Sequence, residues 1–159
     1  MIVVADSSPL NILIHLGYES LLAKMYDRIV APPEVVEELT HANTPPDVSR
    51  VISAGPAWLE VRSPTTLLPL DLGRGERAAI SLAVELDALL MIDEQTGRSA
   101  AMARGLTIIG AVGVLEAAAD FGLIEDLAAV HAALQATDFR ISQTLLDQSL
   151  ARYKARRRS

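Results

Sequence analysis

An α/β protein with a central parallel sheet is what this sequence predicts, and three observations carry that reading. Short, continuously apolar runs, Ile2-Val3-Val4-Ala5 and Ala88-Leu89-Leu90-Met91-Ile92, have the pattern of strands covered on both faces. Stretches with apolar residues at helical spacing alternate with them. The joints are short and marked by glycine, as at Gly105 and Gly110, which favours parallel strands linked by right-handed crossovers.

In chain order, the first strand stops at Asp6, which taken alone reads equally well as a turn residue. Ser7-Ser8-Pro9 supplies an N-cap and a proline at the first helical position for a helix through Leu16. Glu19 to Tyr26 is a second short helix, and Arg28 to Ala31 a strand closed by Pro32-Pro33. Proline then opens Pro33 to Thr40 as a helix whose apolar residues are Val35, Val36 and Leu39. Glu38 lies about 105° from their mean direction, and Glu34 and Glu37 about 150°. Glu38 alone borders the buried face, although a solvated boundary glutamate shows the same pattern. His41 to Pro46 is a loop, Asp47 to Ala54 a short helix, and Trp58 to Val61 an edge strand. Ser63 to Leu72, with Pro64 and Pro69, lacks periodicity and reads as a connector able to form a mobile lip over a site.

Gly73 to Glu94, GRGERAAISLAVELDALLMIDE, reads as a helix feeding a buried strand. At about 100° per residue, Ala79, Ile80, Leu82, Ala83, Val84 and Leu86 spread around the direction of Glu76, with Arg77, Ser81 and Glu85 on the opposite stripe. Glu76 therefore points inward. The helix dipole favours an acid in the first turn, but one facing the core needs a partner or a metal. Asp93 ends the strand, where open α/β sheets place their ligand crevices. A helix follows to about Arg104, then the strand Leu106 to Ile109. Val112 to Phe121, Glu125 to Ala136 and Ser142 to about Arg156 complete a helical carboxyl third.

With 159 residues, half of them hydrophobic, the chain has the size of one compact domain spanning 1–159. The absence of cysteine removes disulfide and thiolate-zinc chemistry and suits a reducing compartment. The amino terminus lacks the basic and apolar regions of a signal peptide, and no apolar run reaches membrane-spanning length, so a cytoplasmic protein is expected. A net charge of −6 argues against a broadly basic nucleic-acid binder. It leaves room for a nuclease, because bound dications make a carboxylate site locally far less negative than the residue count suggests. The end of the chain is basic: no acid follows Asp147, and Arg152, Lys154, Arg156, Arg157 and Arg158 form a tail over about 152–159. A solvated, frayed end accounts for it more simply than a nucleic-acid contact does.

Asp6 and Asp93 end two expected strands, Glu76 enters a helix facing inward, and Glu38 flanks an apolar helix face. An oxygen-only set of this kind, with no cysteine and no histidine at metal-ligand spacing, selects Mg²⁺ or Mn²⁺ over zinc. His15, His41 and His131 are far apart and lack a serine or cysteine partner in sequence, so a nucleophilic triad is not indicated. Gly73-Arg74-Gly75 lacks the lysine and hydroxyl of a phosphate-binding loop.

At these residues the chain resembles the PIN-domain nucleases, which include the VapC-type toxins of toxin–antitoxin pairs. VVADSSPL resembles the first motif with Asp6, PPEVVEEL the second with Glu38, GRGERAAISLAVEL the third with Glu76, and LLMIDEQTGR the fourth with Asp93. LGRGERAAI, MIDE and TIIGAVGVLEAA together are most similar to a branch with glycine-glutamate in the third motif. Glu76 stands where many relatives carry aspartate, which lengthens one ligand arm.

The resemblance implies a three-layer α/β/α PIN-like fold and metal-dependent hydrolysis of phosphodiester bonds, most often in RNA, by an in-line attack that one or two dications support. It implies Asp6 and Asp93 as direct Mg²⁺ or Mn²⁺ ligands, with Glu76 and Glu38 binding directly or through water. Ser8 is a candidate support for Asp6, and Arg98 a candidate phosphate contact. Glu94 adjoins the fourth motif and reads as mainly solvated. RNA as substrate and an antitoxin as partner follow from the same resemblance; the apolar faces of the carboxyl helices read first as core, with any surplus available to a homodimer or an antitoxin helix. Two other readings stay open. One is a catalytically weak PIN-like module that binds RNA or protein without cutting. The other is a phosphatase or phosphotransferase with Asp6 as nucleophile, which lacks a second aspartate at the position of Ser8.

Overall fold

A computed structural model describes residues 1–158 of the chain. Two compact units divide it, Met1–Gly110 and Ala111–Ser159. The first holds the strands β1 (Ile2–Ala5), β2 (Arg28–Ala31), β3 (Leu59–Val61), β4 (Leu89–Met91) and β5 (Ile108–Ile109). Its helices are α1 (Ser7–His15), α2 (Glu19–Met25), α3 (Pro33–Leu39), α4 (Pro46–Ser53), α5 (Arg74–Leu86) and α6 (Gln95–Ala103).

All five strands are parallel, in the order β3-β2-β1-β4-β5. The consecutive residues Val3, Val4 and Ala5 are wholly buried, as are Leu90 and Met91. Successive strand residues point to opposite faces, so burial of every one requires cover on both sides. The fold is the three-layer α/β/α arrangement that the doubly apolar strands imply. Its central register pairs Val4 with Val30 on one side and Leu90 on the other. The chain moves outward from β1 through β2 to β3, then returns to the other side of β1. The strand order therefore reverses between β1 and β4, the place where such sheets open a crevice at their carboxyl ends. The Asp6 N–H donates to the Met91 carbonyl at 2.9 Å, carrying the ladder to the mouth of that crevice.

Local details depart from the sequence reading in three places. Asp6, not a serine, occupies the N-cap of α1, with φ −82° and ψ 168° and no side-chain cap, so Ser7 and Ser8 are helical and Pro9 is third. The N–H groups of the first turn have no acceptor within the helix, so Pro9, third in α1, costs it no hydrogen bond. Leu106 is not a strand residue but closes the cap that follows α6, its N–H reaching the Ala101 carbonyl at 3.2 Å past Gly105 with φ +77°, and β5 starts only at Ile108. The 63–72 connector does not form the expected lip. It is tied to the α5 stripe opposite Glu76: the Leu68 N–H donates to Ser81 Oγ at 2.9 Å, Arg77 Nε donates to the Leu68 carbonyl at 2.7 Å, and the Thr65 N–H donates to Glu85 at 2.7 Å.

The second unit comprises α7 (Ala111–Asp120), α8 (Leu127–Gln135) and α9 (Gln143–Arg158). The basic end expected to fray is helical through Arg158, and Ser159 lies outside the described residues. Arg152 Nη2 lies 2.9 Å from Glu116 Oε1, and Arg156 bridges Glu116 and Asp120. Among the described residues no helix is long and apolar enough to cross a membrane.

Candidate metal centre

Asp6 follows β1 directly, and Asp93 lies two residues past β4, so the two aspartates straddle the point where the strand order reverses. Only 3% of Asp6 is exposed, and its Oδ1 is buried with no hydrogen-bond partner. Burial drives its pKa up to about 7; the Ser7 backbone N–H opposes this, and the charges of Glu38, Glu76 and Asp93 add to the rise. The carboxylates thus sense one another across the crevice.

Glu76 is the third residue of α5, and the inward direction read from its helical spacing is what the structure shows. Its Oε2 is buried without a hydrogen bond. Burial raises its pKa, and Glu94 and Glu38 raise it further. Glu38 itself is exposed on α3, and its Oε2 accepts a hydrogen bond from Ser7 Oγ at 3.0 Å.

Three glycines make room for these acids. A Cβ on Gly75 would stand 1.6 Å from Glu38 Oε1, one on Gly97 2.5 Å from Glu76 Oε2, and one on Gly110 2.5 Å from Asp93 Oδ1. None of the three has a positive φ, so the requirement is space and not backbone conformation. Each carboxylate beyond Asp6 is seated against bare backbone. The sequence reading missed all three glycines as site elements, and it also missed Ser7. It named Ser8, which is exposed at the second position of α1. Arg98 Nη1 donates to the Ile92 carbonyl at 3.0 Å and would lie 2.9 Å from a Cβ on Gly110. Arg98 is therefore anchored at the end of β4 beside Asp93.

Among the described residues, no three His, Cys, Asp or Glu side chains form a ready coordination sphere. What the structure presents is a coupled set of carboxylates flanking one crevice. Its chemistry fits a hard dication: every donor is oxygen, two buried oxygens lack partners, and burial with mutual repulsion makes the ionised cluster costly until a cation or proton joins it. Asp6, Asp93, Glu76 and Glu38 are the residues able to hold it.

Fold and site define a parallel α/β protein with an acidic crevice at its switch point. The chain belongs to the family DUF3368: PIN domain, whose pattern matches residues 2–155. Such domains are nuclease-type modules. Among solved structures it is similar to a PilT N-terminus domain protein from the hyperthermophilic archaeon Sulfolobus solfataricus P2, at 17% identity and a TM-score of 0.52, over 89% of this chain and 100% of that one. At that identity the likeness speaks to the fold. No curated protein matches the chain.

Proposed function

We propose that this protein is a metal-dependent endoribonuclease that hydrolyses RNA phosphodiester bonds with Mg²⁺ or Mn²⁺. One observation carries the reading: Asp6 is buried at the carboxyl end of β1, with its pKa raised by burial and by the charges of Glu38, Glu76 and Asp93. Such a cluster is costly to fold empty and suited to a dication. Membership of the PIN-domain family supports the nuclease class.

When bound, the metal supplies an acidified water and screens the charge that develops on the phosphoryl oxygens and the leaving oxygen. The remaining work belongs to the chain. Asp6 and Asp93, fixed by the paired ends of β1 and β4, set the width of the crevice. Glu76 reaches it from the first turn of α5, held against Gly97. Ser7 pins one oxygen of Glu38, which leaves the other to orient a water. Arg98, held by the Ile92 carbonyl, presents its remaining N–H groups as a planar fork beside Asp93.

A partner protein that restrains the enzyme, as an antitoxin restrains its toxin, is a part of this reading that rests on the motif resemblance, while a homodimeric state rests on the apolar faces of the carboxyl helices and a cytoplasmic location on the cysteine-free composition. The rival, a PIN-like module that binds without cutting, stays open because Glu76 stands in the third motif where many relatives carry aspartate. One experiment separates them. Structured RNA is incubated with the protein and Mn²⁺, with and without chelator, beside Asp6→Asn and Asp93→Asn. The enzyme loses orders of magnitude of turnover in each variant and in chelator, because ligands of one site act as a unit. Cleavage surviving in both variants refutes the site, and RNA held intact in all conditions favours the binding module.

A further inference from the structure

A cleft of about 520 Å³ opens beside Glu38 and Glu76 and runs past Asn11 and Glu34 to the loop carrying His41 and Asn43. That volume lies within the roughly 300–1,000 Å³ of sites that enclose a small molecule. Neither Asp6 nor Asp93 lines it, so it is a compartment adjoining the acidic crevice.

The lining is rich in acceptors. Asn11 follows Ser7 by one turn of α1, and its Oδ1 is buried with no hydrogen-bond partner. A buried acceptor in that condition weakens the fold until a donor reaches it. Glu34, in the first turn of α3, enters no ion pair or side-chain hydrogen bond among the described residues. The cation on the wall, Arg74, lies 3.5 Å from Glu37 Oε2 and is directed to it. His41 Nδ1 accepts from the Asn43 N–H at 3.2 Å, and Thr44 Oγ1 donates to the Glu38 carbonyl at 2.7 Å, which fixes the loop and places an imidazole at the wall.

Even with a dication offsetting Glu38 and Glu76, Glu34 together with the Glu37–Arg74 pair leaves this compartment net negative, which disfavours a second phosphate in it. A neutral ring with N–H donors along its edge meets no such opposition. Guanine alone among the RNA bases offers two adjacent donor sites, N1–H and the N2 amino group; the single N–H of uracil is flanked by carbonyls that glutamates reject. Resting on the ribonuclease reading, we propose that this cleft takes a guanine base beside the scissile phosphate of single-stranded RNA. Asn11 Oδ1 and the Glu34 carboxylate accept from the base edge, and His41 stacks on the ring.

The test uses labelled oligouridylates that carry one guanine, inosine, adenine or cytosine. Their equilibrium binding to the full chain is followed by fluorescence anisotropy in chelator, and products are mapped separately in Mn²⁺. The guanine oligomer is expected to bind roughly tenfold more tightly than the inosine one, within what a bidentate base contact discriminates. Excess free guanosine should compete while uridine does not. Asn11→Ala and Glu34→Ala should each remove the preference and leave binding of plain oligouridylate unchanged, with folding checked by circular dichroism. Equal affinity for all four oligomers, or a guanine preference that survives both variants, overturns the proposal. Cleavage without base preference refutes this inference alone, and base preference without cleavage refutes the nuclease reading alone.

Discussion

Gly97 and Glu76 are fitted to each other: a Cβ on Gly97 would stand 2.5 Å from Glu76 Oε2 and 2.6 Å from Ile92 Cδ1. Gly97→Ala must therefore displace a proposed ligand and a core side chain together. Activity and Mn²⁺ affinity are expected to fall about 10- to 100-fold, the usual cost of disturbing the supports of a metal ligand, and stability by about 1–3 kcal/mol from overpacking. Ile92→Val in the same chain removes Cδ1 and should restore much of the stability while activity stays low. Titration of Mn²⁺ and thermal melting of the single and double variants check this; a double variant that recovers both would show that Glu76 had never been displaced.

Asp6 makes stability depend on pH in an unusual sense. Its pKa is about 7 in the folded chain against an ordinary 3.8, so between those values the folded state holds a proton that the unfolded state has released. The favourable contribution is complete below 3.8, falls as pH rises through the window, and is lost above about 7. The span corresponds to something on the order of 4 kcal/mol. In chelator, the stability difference between Asp6→Asn and wild type should grow in the variant's favour across that window. Mn²⁺ above the window should stabilise wild type more than the variant. Parallel pH profiles for the two proteins would count against a buried, cluster-coupled Asp6.

Ser7 and Ser8 give a sharp contrast. Ser7 Oγ donates to Glu38 Oε2 at 3.0 Å, whereas Ser8 is exposed. Ser7→Ala frees Glu38 and should lower kcat roughly 10- to 100-fold, since one hydrogen bond to a charged group is worth about 1.5–3 kcal/mol. Ser8→Ala should leave kcat unchanged. Steady-state cleavage assays of both variants decide, and equal effects would remove Ser7 from the site.

Much of this arrangement is legible in the residues themselves. Asp6 and Asp93 stand out because continuously apolar runs stop beside them, and the direction of Glu76 follows from helical period. Glu38 is only a boundary residue by the same measure, because what seats it is Gly75 on another helix. Gly75, Gly97 and Gly110 leave no local trace: with no positive φ, nothing in a turn signature marks them, and their role exists only once distant elements meet. Ser-Ser-Pro is degenerate by one residue as a capping pattern, so the chain alone does not separate Ser7 from Ser8. The 63–72 connector read as irregular because its order comes from Arg77, Ser81 and Glu85 on α5, outside the segment.

In the second unit the basic end of the chain has a structural use that sets a last prediction. Glu116, whose side chain is 10% exposed, accepts from Arg152 and Arg156, and Arg156 also pairs with Asp120. Burial alone would raise the Glu116 pKa, but the hydrogen bonds from Arg152 and Arg156 outweigh it and hold the carboxyl below its ordinary value of 4.5. Its contribution is therefore present above pH 4.5 and lost as pH falls through the lowered folded value. Glu116→Gln keeps the shape and removes the charge, leaving two half-exposed guanidinium groups that water partly solvates. A loss of about 1–3 kcal/mol near neutral pH is expected, shrinking toward zero in acid as the wild-type carboxylate is itself protonated. Denaturant melts at both pH values measure it; a variant as stable as wild type at neutral pH would mean that these arginines do not anchor α9 through Glu116.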